Sequence, residues 1–284
     1  MTRIAGVFII TLFVVGASGH ADAALIASDN AANSAYTVNG AFNGLNGGSG
    51  FGAWSVTIAT PASGSSAGAF VATKGAGSGN AVLSNTTPVF DIFNNGNPAG
   101  NGTTTTLNSS ITTADRPFTG ALTAGQAFSF VEDLGNGTGG SSNAEGWELL
   151  DAGNNVLLNM FTSENQSGTN AGTTAYTVVD ATGTFNPSAG NFGRNNSAAD
   201  SFKLTLNDSA GDYTIVTAGH SGRTFTGQID MSTGGPTQVA FYDNSGGNSS
   251  DVQFTNLAIT NVPEPAAALA AAIGALLIRR RRRK

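Results

Sequence analysis

Between the two ends of the chain, apolar residues recur in short alternating runs broken by Asn, Gly, Ser and Thr, the period of strands with one face covered. In residues 53–60 Trp54, Val56 and Ile58 share a face, and in 126–132 Phe128 and Phe130 do. Residues 145–151 and 155–161 flank Asp151-Ala152-Gly153-Asn154, a hairpin turn by composition. Further strands are expected at 174–180, 202–206, 213–217, 223–229, 237–242 and 252–260, with weaker signals at 69–73 and 88–93. In the last strand Val252 and Phe254 alternate, then Leu257 and Ile259 resume out of phase. One extra residue at Thr255-Asn256, a β-bulge, restores the register. Residues 43–52, 61–80 and 94–113 are expected as long loops. About thirteen short strands and no helical period between the termini predict an all-β, two-sheet antiparallel sandwich of jelly-roll type.

The two ends follow other patterns. Arg3 precedes an apolar run from Ile4 to Val15, then small residues and Ala21-Asp22-Ala23, the order of a secretory signal peptide cut after Ala23. At the other end Val262 leads into Pro263-Glu264-Pro265, thirteen apolar residues, then Arg279, Arg280, Arg281, Arg282, Arg283 and Lys284. The prolines favour an extended, accessible peptide, and the apolar run is expected to be a short helix in lipid. At about 1.5 Å per residue it covers roughly 20 Å of a hydrocarbon core about 30 Å thick. Such a helix is a weak anchor by itself. The six cations hold it by favouring the cytoplasmic side.

That order resembles the PEP-CTERM sorting signal of Gram-negative bacteria. The resemblance implies Sec-type export, a transient inner-membrane anchor, cleavage near Pro263-Glu264-Pro265 by the membrane transpeptidase exosortase, and delivery to the cell surface or exopolysaccharide matrix. It divides the chain into a signal peptide (1–23), an extracellular domain (24–261) and a sorting signal (262–284). Shorter matches lie in the middle. Asp29-Asn30-Ala31, Tyr36, Asn46-Gly47-Gly48 with Phe51 and Trp54, and Arg116-Pro117-Phe118-Thr119-Gly120-Ala121-Leu122 with Gly125-Gln126 resemble extracellular PEP-CTERM proteins with concanavalin A-like sandwiches.

Composition narrows the chemistry. No cysteine is present, so disulfides and thiolate metal sites are excluded. The net charge of −6 understates the acidity of the middle. The first and last 23 residues hold seven of the twelve cations and two of the eighteen acids, leaving five basic and sixteen acidic residues, a net charge near −11. That balance repels phosphate backbones and argues against nucleic acid as a partner.

With His20 in the signal peptide, His220 is the middle's one histidine. It sits in Ala218-Gly219-His220-Ser221-Gly222, expected as an exposed turn rather than a catalytic base. A glycosidase would need carboxylates converging on one cleft. Glu132-Asp133 are adjacent, and Glu145, Glu148 and Asp151 are three apart, which on a strand puts Glu148 opposite its neighbours. The stretch reads as an edge or two-faced strand, and no catalytic residue is assigned. Calcium is the one cofactor the composition allows, from Asx-rich loops at 133–137, 191–200 and 243–251, with turn-making as the competing role for those residues. Trp54, Trp147, Tyr36, Tyr176, Tyr213 and Tyr242 are the large amphipathic rings. Their alternating positions predict core packing over glycan stacking. The chain thus reads as an exported, non-enzymatic surface protein, with a lectin-like polysaccharide-binding module as the alternative.

Overall fold

The computed structural model describes residues 23–59, 66–73, 83, 88–95, 111–134, 144–163, 176–185, 199–219, 222–244 and 251–262. The expected signal peptide up to Asp22, His220, the Pro263-Glu264-Pro265 motif, the apolar run and the terminal cations lie outside the described residues. Among the described residues there is no α-helix, and no helix is long and apolar enough to cross a membrane.

Among the described residues fifteen strands form two antiparallel sheets. They are β1 (Leu25–Asp29), β2 (Ser55–Ile58), β3 (Ser66–Ala72), β4 (Val89–Asn95), β5 (Thr112–Pro117), β6 (Gln126–Leu134), β7 (Ala144–Leu150), β8 (Val156–Ser163), β9 (Thr177–Asp180), β10 (Gly183–Phe185), β11 (Asp200–Leu206), β12 (Asp212–Ala218), β13 (Arg223–Gln228), β14 (Gln238–Asn244) and β15 (Asp251–Asn261). The first sheet runs β13-β12-β11-β6-β15-β4-β3, with β1 beside the second half of β15; the second runs β10-β9-β8-β7-β14-β5-β2. The molecule is the two-sheet sandwich its alternation predicts.

The inner faces meet through aromatic rings. Phe241 of the second sheet stacks on Phe254 of the first at 3.9 Å, and Phe130 stacks on Phe202 at 5.1 Å with Trp147 edge-on to both. Phe42, Trp54 and Phe90 form a second cluster packed onto Phe254. These rings are nearly inaccessible, so burial is the main term holding the sheets together.

The bulge in β15 is where the phase of its apolar residues places it. Pairing with β6 shifts between Thr255 and Ala258, and Asn256 is left-handed (φ 57°). Val252, Phe254, Leu257 and Ile259 all reach the core in consequence. The 151–154 turn also forms, with Asn154 left-handed (φ 62°) and Asp151 accepting from the Gly153 and Asn155 amides at 2.8 Å. The Asn155 side chain, then the Thr233 side chain and those two amides, pull the Asp151 carboxyl down to about 2.

Several expectations need correcting. The 145–151 stretch is no edge: β7 lies inside its sheet between β8 and β14. Residues 61–80 are not one long loop, since β3 occupies 66–72. Residues 43–52 do form a loop, as expected, and it is packed: Trp54 N donates to Leu45 O, and Phe51 bridges Phe118. Strands β1, β5 and β10 carry no apolar alternation. The inward positions of β5 are Thr112, Ala114 and Arg116, which no hydrophobicity rule selects.

Candidate functional site

Arg116 is fully buried and gathers the short motifs of the N-terminal third around itself. Its Nη2 lies 2.6 Å from Asp29 Oδ2 and donates to Asn46 Oδ1 at 2.7 Å, while Nη1 donates to Leu45 O at 3.2 Å. The guanidinium sits 4.9 Å from the Trp54 ring centre and 5.6 Å from that of Phe51. Tyr36 donates its hydroxyl to the same Asp29 oxygen at 2.7 Å and accepts from Gly47 N at 2.9 Å. Desolvation, ahead of the Asp29 hydrogen bond and charge, pushes the Tyr36 phenol up to about 12. Gly47 has to be glycine here, because a Cβ would come within 2.5 Å of the Tyr36 ring. This matched pair is a brace: a lone buried charge would be very costly, and here each partner neutralises the other.

In front of the brace the first sheet opens to solvent. Inward Phe128, Phe130, Phe202, Leu204 and Ile215 alternate with small outward residues. Strand pairing aligns these into one lateral row, Thr224–Val216–Lys203–Ser129–Ala258–Ser28–Ser49. A second row beside it reads Thr226–Thr214–Thr205–Ala127–Thr260. At about 4.8 Å per strand the first row crosses roughly 29 Å, and neither row contains an acid. Two hollows lie along it. One of about 480 Å³ is lined by Ser28, Asn30, Asn33, Gly47, Gly48 and Ser49, together with Asp29, whose carboxylate is held by Arg116. The other, about 340 Å³, is lined by Ser129, Val131, Ser201, Lys203 and Val216.

Asn256 belongs to both hollows. Its left-handed bulge conformation lifts it out of the ladder, and its Oδ1 accepts from Asn30 Nδ2. The bulge therefore corrects the core register and also puts one amide at the lining of both hollows, which with the two rows make up the groove. Gly48 at the groove wall likewise admits no side chain, since a Cβ would collide with Asp29.

The outer face of the second sheet is different in kind. There Asp115 and Glu148 flank Ala240 in one row, which Asn159 continues. Burial pushes Asp115 up to about 6; burial, then the Asp115 charge, pushes Glu148 up to about 7. Tyr242 donates to Asn159 Oδ1 at 3.0 Å, and burial raises its phenol far above its ordinary range. Asp115 had no signal in the sequence, because it meets Glu148 only through β14.

Inside the sandwich, Glu132 is buried on the inner face, paired in register with Asp200. Burial, then the Asp200 and Asp133 charges, raises it well above the carboxylate range. Asp91 is raised by burial and then by Asp251. Asp133, Asp200, Asp243 and Asp251, at the ends of the Asx-rich loops considered for calcium, are buried as well. Among the described residues, no three His, Cys, Asp or Glu stand close enough to hold a metal ion. Glu145 faces inward with Trp147 and Leu149 while Glu148 faces out, so the three-residue spacing separates them as expected. Of the six aromatic rings, Trp54, Trp147, Tyr36, Tyr176 and Tyr213 are core residues and Tyr242 is half-buried. The predicted cleavage residue Ala23 is exposed at the start of the described body, and Ala21 lies outside it.

No family model matches the chain, and no curated protein does. Among solved structures it is similar to the legume lectin-like domain from Entamoeba histolytica (10% identity, covering 55% of this chain and 80% of that one, TM-score 0.38). It is also similar to lectin II from Ulex europaeus (10%, 73% and 98%, TM-score 0.40) and to an alginate lyase from Alteromonas sp. 272 (14%, 55% and 81%, TM-score 0.34). At those scores the likeness fixes neither ligand nor activity.

Proposed function

We propose that the chain is an exported, exosortase-processed surface or matrix protein whose sandwich holds extracellular polysaccharide without acting on it. The observation that carries the binding half is the groove of the first sheet. It is open, crosses several strands, and is lined by hydroxyls, amides and glycine backbone, the groups that exchange hydrogen bonds with sugar hydroxyls. Ring stacking plays little part, because the large rings are consumed by the core.

The sorting half rests on the termini. Asn261 N bonds Ala24 O at 2.9 Å, and Val262 N bonds Gly125 O at 2.7 Å. Ala24 and Asn261, next to the two predicted junctions, therefore lie side by side. A domain hung from the membrane at one point suits a protein tethered briefly and then released. Mass spectrometry of the protein from an exosortase-positive strain tests this. The expected product starts near Ala24 and lacks Arg279 to Lys284; a mature product that keeps the cationic tail contradicts the sorting reading. Binding of the full chain to a panel of extracellular polysaccharides tests the other half, and failure to retain any of them contradicts it.

A further inference from the structure

We infer that the groove of the first sheet selects acidic polysaccharide, with the Lys203 ammonium as the anchor for a sugar carboxylate; the inference rests on the polysaccharide-binding reading and narrows it. The protein is strongly acidic, yet its charges are unevenly placed. Glu132, Glu145 and Asp243 are buried in the body, and Asp115 and Glu148 stand on the opposite sheet. On the groove's own sheet Asp29 is paired with Arg116, Asp91 and Asp133 are buried in a row outside the groove, and Asp212 lies one row beyond Thr214. The two long rows of the groove hold one charged residue, the cation Lys203, in mid-row between Val216 and Ser129.

Lys203 is exposed and makes no ion pair among the described residues. Its surroundings supply donors rather than competing carboxylates. The Ser129 hydroxyl is its neighbour across the ladder, and Asn256 lines the same hollow with its Oδ1 already engaged by Asn30, leaving its Nδ2 hydrogens for a ligand. A carboxylate is an acceptor-only group that takes several such donors at once. One cation among uncharged rows suits a chain bearing isolated carboxylates. It does not suit a phosphate backbone, whose dense charge requires many cations along the track.

The test is titration of the full chain with polygalacturonate, with its fully methyl-esterified form, and with dextran, for the native protein, Lys203→Gln and Lys203→Arg. Lys203 is exposed, so both variants are expected to fold. The expected result is binding to polygalacturonate that weakens with added salt, falls about tenfold in Lys203→Gln and is largely kept in Lys203→Arg, with much weaker binding to the esterified polymer. Equal affinity for the acidic and esterified polymers, or unchanged affinity in Lys203→Gln, overturns the carboxylate anchor and leaves polysaccharide binding standing. Binding to none of the three polymers overturns the anchor and the reading beneath it.

Discussion

The two outer faces of the sandwich are built on the same scaffold and differ in what their outward positions carry. On the first sheet the two rows of the groove carry Ser, Thr, Ala and Val around a single Lys203, with the Arg116 brace behind one end, while Asp91, Asp133 and Asp212 stand in outward rows outside them. On the second sheet the outward positions include Asp115, Glu148 and the half-buried Tyr242, crowded enough that both carboxyls are held well above their ordinary range. The groove rows spend little stability on their polar groups, because hydroxyls stay partly solvated and their one charge is exposed. The second face keeps acids where burial penalises ionisation, so its contribution depends on pH. A ligand face should be open and insensitive to small changes of pH, and the groove rows of the first sheet meet both conditions.

The sharpest way to break the comparison is through the brace. Arg116→Met leaves Asp29 buried with no cation, and a loss of about 3–5 kcal/mol is expected in chemical denaturation. Adding Asp29→Asn to Arg116→Met is expected to recover part of that loss, since the orphaned charge goes with it. If the single variant is near neutral, the pair is not what holds 29–54 against β5.

The second face is tested by pH. Folded-state values near 6 for Asp115 and 7 for Glu148 lie above their unfolded values. Their contribution is therefore complete below about pH 4 and disappears as pH rises through those values. Glu132 and Asp91, raised for the same reason, act in the same direction. Discounting for partial solvent screening, Tm is expected to fall by roughly 3–6 °C between pH 5 and pH 8. Glu148→Gln should flatten that slope; a Tm that rises over the interval contradicts the assignment.

A smaller effect belongs to the bulge. Asn256→Val puts a β-branched residue at φ 57°, at an expected cost of about 1–2 kcal/mol. It also removes the amide that lines both hollows. Asn256→Gly should restore most of the stability without restoring that amide, so thermal melts and binding assays on the two variants separate the bulge's structural role from its place in the groove.

How far the sequence reaches follows from the same contrast. The second half of the chain is legible because its strands bury one apolar face each, and the break in phase after Phe254 located the bulge. Strand β5 was illegible because its inward residues are Thr112, Ala114 and Arg116. The signal for Arg116 lay in the company of the short motifs at 29–54, which the fold gathers about its guanidinium. The groove was harder still. Its rows join residues as distant as Ser28 and Thr224 through lateral pairing, and Ser, Thr and Ala carry no period of their own. The pairing of Asp115 with Glu148 was illegible for the same reason, since it runs laterally through Ala240.

The most direct test asks which face holds the polymer. Ser129→Glu places a like charge in the centre of the groove, and Thr57→Glu places one on exposed β2 of the other sheet; neither position is in the core. Titrated with polygalacturonate, Ser129→Glu is expected to lose at least about tenfold in affinity and Thr57→Glu to match the native chain. Loss of binding in Thr57→Glu, with Ser129→Glu unaffected, would put the ligand on the second sheet and contradict the account.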